Sequence, residues 1–351
     1  MIPLPAPAAV FGQPGLKARL ALVSVAVLLL NGGGWLGAFL SFGGDPALFA
    51  MALLVYGLGM RHGLDADHIA AIDNVTRKLM QEGERPVAVG FFFALGHSAL
   101  VVLVAAAVGA TAGSLELFRG VQEVGGYLGT GISALFLLTM ALLNILVFRS
   151  VYRAYRTLRD GGSPDQAELD RMMGGQGLLA RLLRPLFGLI GRSWHMAPLG
   201  VLFGLGFDTA TEIAMFGLSA AQAVNGLPFA TILVFPLLFA AGMLLVDTAD
   251  GLLMLGAYRW ATARPARRLR YNMGVTLLSA LLAGFIGGTE MLGLIGEHFG
   301  FDGGLWSLLG LLKDGSDRLG FLIVVLFAVA WAVALGLHRS RAASAVLKGD
   351  A

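Results

Sequence analysis

The sequence predicts an all-α polytopic membrane protein with about eight transmembrane helices. Of its 351 residues, 57% are hydrophobic and only 13% charged, where a soluble domain carries roughly 25% charged residues. Mean hydropathy is +0.77, and the apolar residues gather into runs of the roughly 20 residues that cross a hydrocarbon core. The 50 glycines lie among Leu, Ala, Val and Phe, as in membrane helices whose backbones approach closely.

In chain order, spans are expected at 19–42, 47–72, 87–112, 125–148, 197–224, 228–257, 272–296 and 319–338. The first follows Lys17 and Arg19, and its apolar run continues past Leu30 without a small-residue cleavage site, so it reads as a retained span rather than a signal peptide. The amphipathic piece Phe301 to Leu312 is too short to span and reads as a surface or re-entrant turn. The chain thus divides into a membrane half 1–148, a basic loop 149–195 and a second membrane half 196–351.

Charge sets the orientation. Of the 25 Lys and Arg residues, Arg61 lies within a span and only Arg119, Lys313 and Arg318 fall on one side; all the others fall on the side of the termini and the 149–195 loop. The basic side is cytoplasmic, which expects both termini in the cytoplasm and the protein in the inner membrane. The basic excess behind the sequence pI near 9.4 is concentrated on the cytoplasmic side, and the Arg-rich loop reads as solvated and topology-fixing, not as a nucleic-acid surface. With no cysteine, thiolate and iron–sulfur sites are excluded. No Gly-x-x-x-x-Gly-Lys-Ser/Thr loop is present, so ATP is not bound by that route.

Ionisable groups inside spans are expensive and mark pathways or sites. The second span carries Arg61-His62-Gly63-Leu64-Asp65-Ala66-Asp67-His68. On a regular helix, at about 100° per residue, His62, Asp65 and His68 share one arc of about 120° while Asp67 falls away from it. Either the helix is distorted at Gly63, or Asp67 holds the ring N–H of a ligating histidine. The third span adds His97, the fifth Asp208 and Glu212, and the sixth Asp247 and Asp250. Each carboxylate pair shares a helix face, and such groups need cations or protons to be tolerable in lipid. Asn144 and Glu290 read as packing polar groups.

The two halves resemble each other. Gly57-Leu58-Gly59 aligns over Gly204-Leu205-Gly206, Ala66, His68, Ile69 and Ala70 over Ala210, Glu212, Ile213 and Ala214, and Phe93 to Gly96 over Phe239 to Gly242. An odd number of spans separates the units, so spans 2–3 and 5–6 form an inverted repeat, as in secondary transporters.

Imidazole and carboxylate without thiolate favour divalent first-row ions such as Ni²⁺, Co²⁺, Zn²⁺ or Mn²⁺. The metal is then the transported substrate, and no cofactor is expected. At these residues the sequence resembles the nickel/cobalt transporter (NiCoT) family. The likeness rests on a His, four residues and Asp-His in the second span (His62 through Asp67-His68), on Leu95-Gly96-His97-Ser98, on Leu205 to Glu212, and on Gly242-Met243 through Asp247-Thr248-Ala249-Asp250. The resemblance implies an eight-span permease importing Ni²⁺ or Co²⁺. It makes His62, Asp65, Asp67 and His68 the metal-recognition set, with His97, Asp208, Glu212 and Asp247 lining the path; Asp250, one turn from Asp247, is a further metal candidate. The alternatives are an efflux permease and a metal-binding subunit working with ATPase partners; an intramembrane metalloenzyme is disfavoured, since no His-Glu-x-x-His is present. Efflux-type relatives carry His-rich loops, and 149–195 holds only His195. The expected partners are therefore a divalent metal ion and the bilayer, with no obligatory protein partner and no enzyme activity.

Overall fold

The structure is a computed structural model that describes residues 15–110, 115–159, 190–206, 209–262 and 265–314, with Leu322 and Val325. Every regular element among these residues is a helix. In chain order they are α1 (Leu16–Phe42), α2 (Pro46–His62), α3 (Ala66–Gln81), α4 (Val89–Ala110), α5 (Leu115–Arg159), α6 (Met196–Phe203), α7 (Ala210–Val224), α8 (Phe229–Ile232), α9 (Val234–Thr262), α10 (Pro265–Phe299) and α11 (Leu305–Asp314). A single 3-10 turn, Ser193–His195, leads into α6.

Among the described residues, five helical stretches are long and apolar enough to cross a membrane: Leu16–Phe42, Val89–Ala110, Val124–Arg153, Phe229–Gly256 and Thr276–Phe299. The pair α2–α3, bent by 51°, makes a sixth. This is a multi-pass membrane protein, and its apolar exterior fits a bilayer: Leu22 and Leu40 on α1 are 71% and 75% exposed. The expected fifth span is divided between two short helices, α6 and α7, and of the expected eighth, 319–338, only Leu322 and Val325 are among the described residues.

The second span is not one regular helix. After His62 the chain makes tight turn bonds: Gly63 N–H donates to Gly59 O (3.1 Å), Leu64 N–H to Arg61 O (3.0 Å) and Asp65 N–H to His62 O (2.9 Å). Asp65 is extended, and Ile69 N–H to Asp65 O (3.1 Å) starts α3. Gly and Asp are weak helix formers, and here α9 also crowds the break, since a Cβ on Gly63 would come within 3.1 Å of the Asp247 carboxylate. The single-helix arc expected for His62, Asp65 and His68 is thereby replaced: the two histidines sit on different helices.

Beyond the break α3 runs through the middle of the bundle, buried from Ala66 to Leu79 except for Asp67. Arg77 and Lys78, expected in a cytoplasmic loop, are instead buried on its last turns. The Arg77 guanidinium donates to Thr276 Oγ1 (3.0 Å), and the Lys78 ammonium donates to Ile190 O (2.7 Å) and pairs with Glu82. Asn144 does act as a packing polar group, donating to Asn74 Oδ1.

The first break is repeated at Gly204–Thr209. Gly204 N–H donates to Gly200 O (2.9 Å), Leu205 to Leu202 O (3.4 Å) and Gly206 to Phe203 O (3.0 Å). Thr209 is extended like Asp65, and Ile213 N–H to Thr209 O restarts the helix. Helix partners are exchanged in the same way: α2 lies against α9, and α6 against α4. A Cβ at Gly59 would collide with the Phe239 carbonyl and one at Gly242 with the Tyr56 carbonyl, while at Gly200 and Gly96 the collisions are with the Phe93 and Ala197 carbonyls. Phe239 and Gly242 match Phe93 and Gly96, as the sequence alignment has it. The register of the first helix is corrected, however: Gly59 corresponds in packing and turn bonding to Gly200, not Gly206, and the second break is the longer one.

These contacts yield a prediction. Gly200→Val should collapse the α4–α6 seam, at a cost of at least the 1–3 kcal/mol typical of overpacking, and lower the melting temperature of the detergent-purified protein. Gly57→Ala, where a Cβ meets nothing within 4 Å, should leave it unchanged.

Candidate metal site

The two breaks meet at the centre of the bundle. α2 delivers His62 on its last turn, α3 delivers His68 on its first, α4 delivers His97 and α7 delivers Glu212. All four are at most 3% exposed. The three imidazole rings form a nearly equilateral triangle, with centroids 4.7, 4.8 and 4.9 Å apart. One ring nitrogen from each lies within 4.8 Å of the other two.

A tighter triangle of donor atoms sits inside this one. His62 Nε2 is 3.0 Å from His97 Nε2, which is 3.1 Å from Glu212 Oε1, and the third edge, His62 Nε2 to Glu212 Oε1, is 3.7 Å. With metal–ligand bonds of about 2.1 Å, ligands at right angles lie about 3 Å apart and tetrahedral ones about 3.4 Å. The three atoms are therefore spaced as neighbouring ligands around one first-row ion. Two nitrogens and a carboxylate oxygen are donors that such ions accept.

Neighbouring side chains orient the rings. His68 Nδ1 lies 3.2 and 3.4 Å from the two oxygens of Asp247, which leaves its Nε2 for an ion. This is the carboxylate–imidazole pairing typical of metal ligands. Asp67, which could have held a histidine ring, instead accepts the His68 backbone N–H (2.9 Å); the ring is held from α9. The Thr211 hydroxyl lies 3.2 Å from His62 Nδ1, and Asp65 approaches the same nitrogen at 3.8 Å. Thr209 and Glu212 have the spacing of a capping box, but the Thr209 hydroxyl donates to Glu212 Oε2 (2.9 Å), and no side-chain bond caps the helix. Both side chains are turned into the site. Phe93 and its repeat partner Phe239 wall it, packing against His68 and His62.

Of the nine residues singled out in the sequence, His62, His68, His97 and Glu212 converge at the centre, with Asp65, Asp67 and Asp247 around them. Asp208 lies outside the described residues. Asp250, one turn beyond Asp247, stands apart: among the described residues both its oxygens are buried without a hydrogen-bond partner, and Asp73 and Asp247 lie close enough to act on it electrostatically. Asp73 in turn accepts from Ser279 Oγ (2.7 Å).

A cavity of about 90 Å³ opens on the histidines. Its far wall comes from helices the sequence did not connect to the site: Thr130 and Ser133 of α5, and Thr289 and Glu290 of α10. Sequence spacing carries no sign of this wall, because these residues are scattered singly through otherwise apolar helices.

Residues 48–336 match the protein family described as high-affinity nickel-transport protein, NicO. The chain is 49% identical to the high-affinity nickel transport protein of Cupriavidus necator, over 94% of each chain. It is 45% identical to the nickel transporter NicT of Mycobacterium tuberculosis, covering 90% of this chain and 88% of that one. It is also 40% identical to the cobalt transport protein NhlF of Rhodococcus rhodochrous, covering 91% and 92%. No solved structure matches.

The Asp247–His68 pair supplies the test of this geometry. Asp247→Ala should leave the helices packed but free the His68 ring, weakening Ni²⁺ binding to the purified protein by about 10–100-fold, as for other groups that orient metal ligands. Isothermal titration against wild type gives the ratio.

Proposed function

The chain belongs to the NicO family of high-affinity nickel-transport proteins, and from that premise we propose that it imports Ni²⁺, and Co²⁺ alongside it, across the inner membrane through the His62–His97–Glu212 centre. The observation that carries the reading is the donor triangle of 3.0, 3.1 and 3.7 Å edges buried mid-bundle. Imidazole nitrogens favour borderline first-row ions over Mg²⁺ and Ca²⁺, which prefer oxygen alone. Ni²⁺ and Co²⁺ accept the same ligands, and the cobalt transport protein among the relatives supports including Co²⁺.

The ion meets His62, His97 and Glu212, with His68 held ready by Asp247 as a further ligand. Glu212 supplies formal negative charge that the imidazoles lack. Asp65 and Asp67 add more around the first turn of α3, where the helix dipole stabilises anions. A site of this kind binds the ion in exchange for most of its water, then releases it as the two broken helices shift against their partners. The inverted pairing of α2 with α9 and α6 with α4 suits alternating access, in which repeats rock around a central site. Asp250 and Asp73, further towards the basic end of the bundle, continue the path.

Import needs no ATP. A dication entering a negative interior gains roughly 4.6 kcal/mol per 100 mV, about three decades of accumulation. The absence of a His-rich stretch in 149–195 favours import over efflux, and relatives of nearly equal length named as transporters in their own right support a chain that works without an ATPase subunit.

Uptake of ⁶³Ni²⁺ by cells expressing the chain alone tests this reading. His68→Ala should abolish uptake while the protein still inserts, and Arg153→Ala, at an exposed site on the last turns of α5, should leave it near wild type. Uptake that survives His68→Ala contradicts the site; a wild type that lowers cellular nickel contradicts import.

A further inference from the structure

We propose that Glu290, with Thr130, Ser133 and Thr289, forms an outer vestibule that captures the hydrated divalent cation before the histidines take it. This rests on the import reading above. The vestibule and the histidines share one cavity of about 90 Å³. That space holds several waters, so an ion can wait there with much of its shell. Among the described residues lining it, Glu290 is the sole ionisable side chain on the wall made by α5 and α10.

Position and chemistry both assign it the first encounter. α10 begins in the basic stretch Pro265–Arg270 and ends at Phe299. Glu290 lies in its final third, towards the side opposite the basic loops and, by the charge asymmetry, outside the cell. The wall offers only hydroxyl and carboxylate oxygen, which suits a hydrated ion of any divalent metal. Selection falls to the imidazoles beyond it, whose nitrogens rank first-row ions. A single carboxylate in a low-dielectric cleft raises the local concentration of cations and their rate of arrival, an effect that salt weakens. The vestibule therefore controls how readily the ion arrives, and the histidine centre controls which ion passes.

The test is the initial rate of ⁶³Ni²⁺ uptake against concentration in cells expressing wild type, Glu290→Gln and Glu290→Asp at matched membrane levels. Glu290→Gln should raise KM about tenfold, the lower end of electrostatic focusing. It should leave Vmax and the competition order of Co²⁺, Zn²⁺ and Mn²⁺ unchanged, and flatten the dependence of uptake on ionic strength. Glu290→Asp should recover most of the KM. Thr289→Lys, which brings opposite charge into the vestibule without altering Glu290, should raise KM with Vmax kept, and decides the matter should Glu290→Gln fail to insert. An unchanged KM in an inserted Glu290→Gln overturns the proposal. So does a lost Vmax with an altered competition order, which would make Glu290 a ligand of the selective centre. Absence of uptake by wild type would instead remove the import reading, and the vestibule with it.

Discussion

The centre of this protein exists because helices approach until backbone meets backbone. At Gly59, Gly96, Gly200 and Gly242 a single Cβ would strike a carbonyl of the neighbouring helix. Gly90 against Asp247 and Gly129 against Gly206 repeat the device at the rim of the site. In lipid no hydrophobic force drives helices together, so close packing of small residues has to do it. Only at this spacing can side chains as short as histidine and glutamate, from three different helices, bring their donor atoms within about 3–4 Å of one another, with His68 from a fourth helix within 4.8 Å of the other two imidazoles.

The same packing makes the charges tolerable. A carboxylate buried in a bilayer needs a partner, and most here have one: Glu212 has His97 and Thr209, Asp247 has His68, and Asp73 has Ser279. The exception is Asp250, with two buried oxygens and no hydrogen-bond partner among the described residues. Three imidazole rings and the Glu212 carboxylate converge on one point. The arrangement is therefore suited to a dication, which satisfies several ring nitrogens and a carboxylate at once. Oxygen donors flank the imidazoles on both sides, at Glu290 on α10 and at Asp73 and Asp250 on α3 and α9.

How much of this was legible in the sequence depends on range. Span positions and the cost of charge inside them single out His62, His68, His97, Glu212 and Asp247, which the fold gathers in and around one cluster, because hydrophobic runs and their interruptions are local signals. The break after His62 was half visible: Gly63 and Asp65 weaken a helix, but its geometry is set by α9 pressing on Gly63, a contact from the other end of the chain. The repeat was visible, yet its first register was misread, because Gly-Leu-Gly recurs at Gly57 and Gly204 while packing equates Gly59 with Gly200. Arg77 and Lys78 read as loop residues since nothing local shows that Thr276 and Ile190 will receive them. The pairing of Asp247 with His68, and the wall from Thr130 to Glu290, arise only from tertiary contact.

X-ray absorption at the nickel K-edge of the Ni²⁺-loaded, purified protein tests the central claim most directly, because it reads the ligands rather than the consequences of losing them. A single ion bound by at least two imidazole nitrogens and carboxylate oxygen, with the imidazole scattering reduced in His62→Ala, is the predicted result. A shell of oxygen alone, or imidazole scattering that persists unchanged without His62, would contradict it.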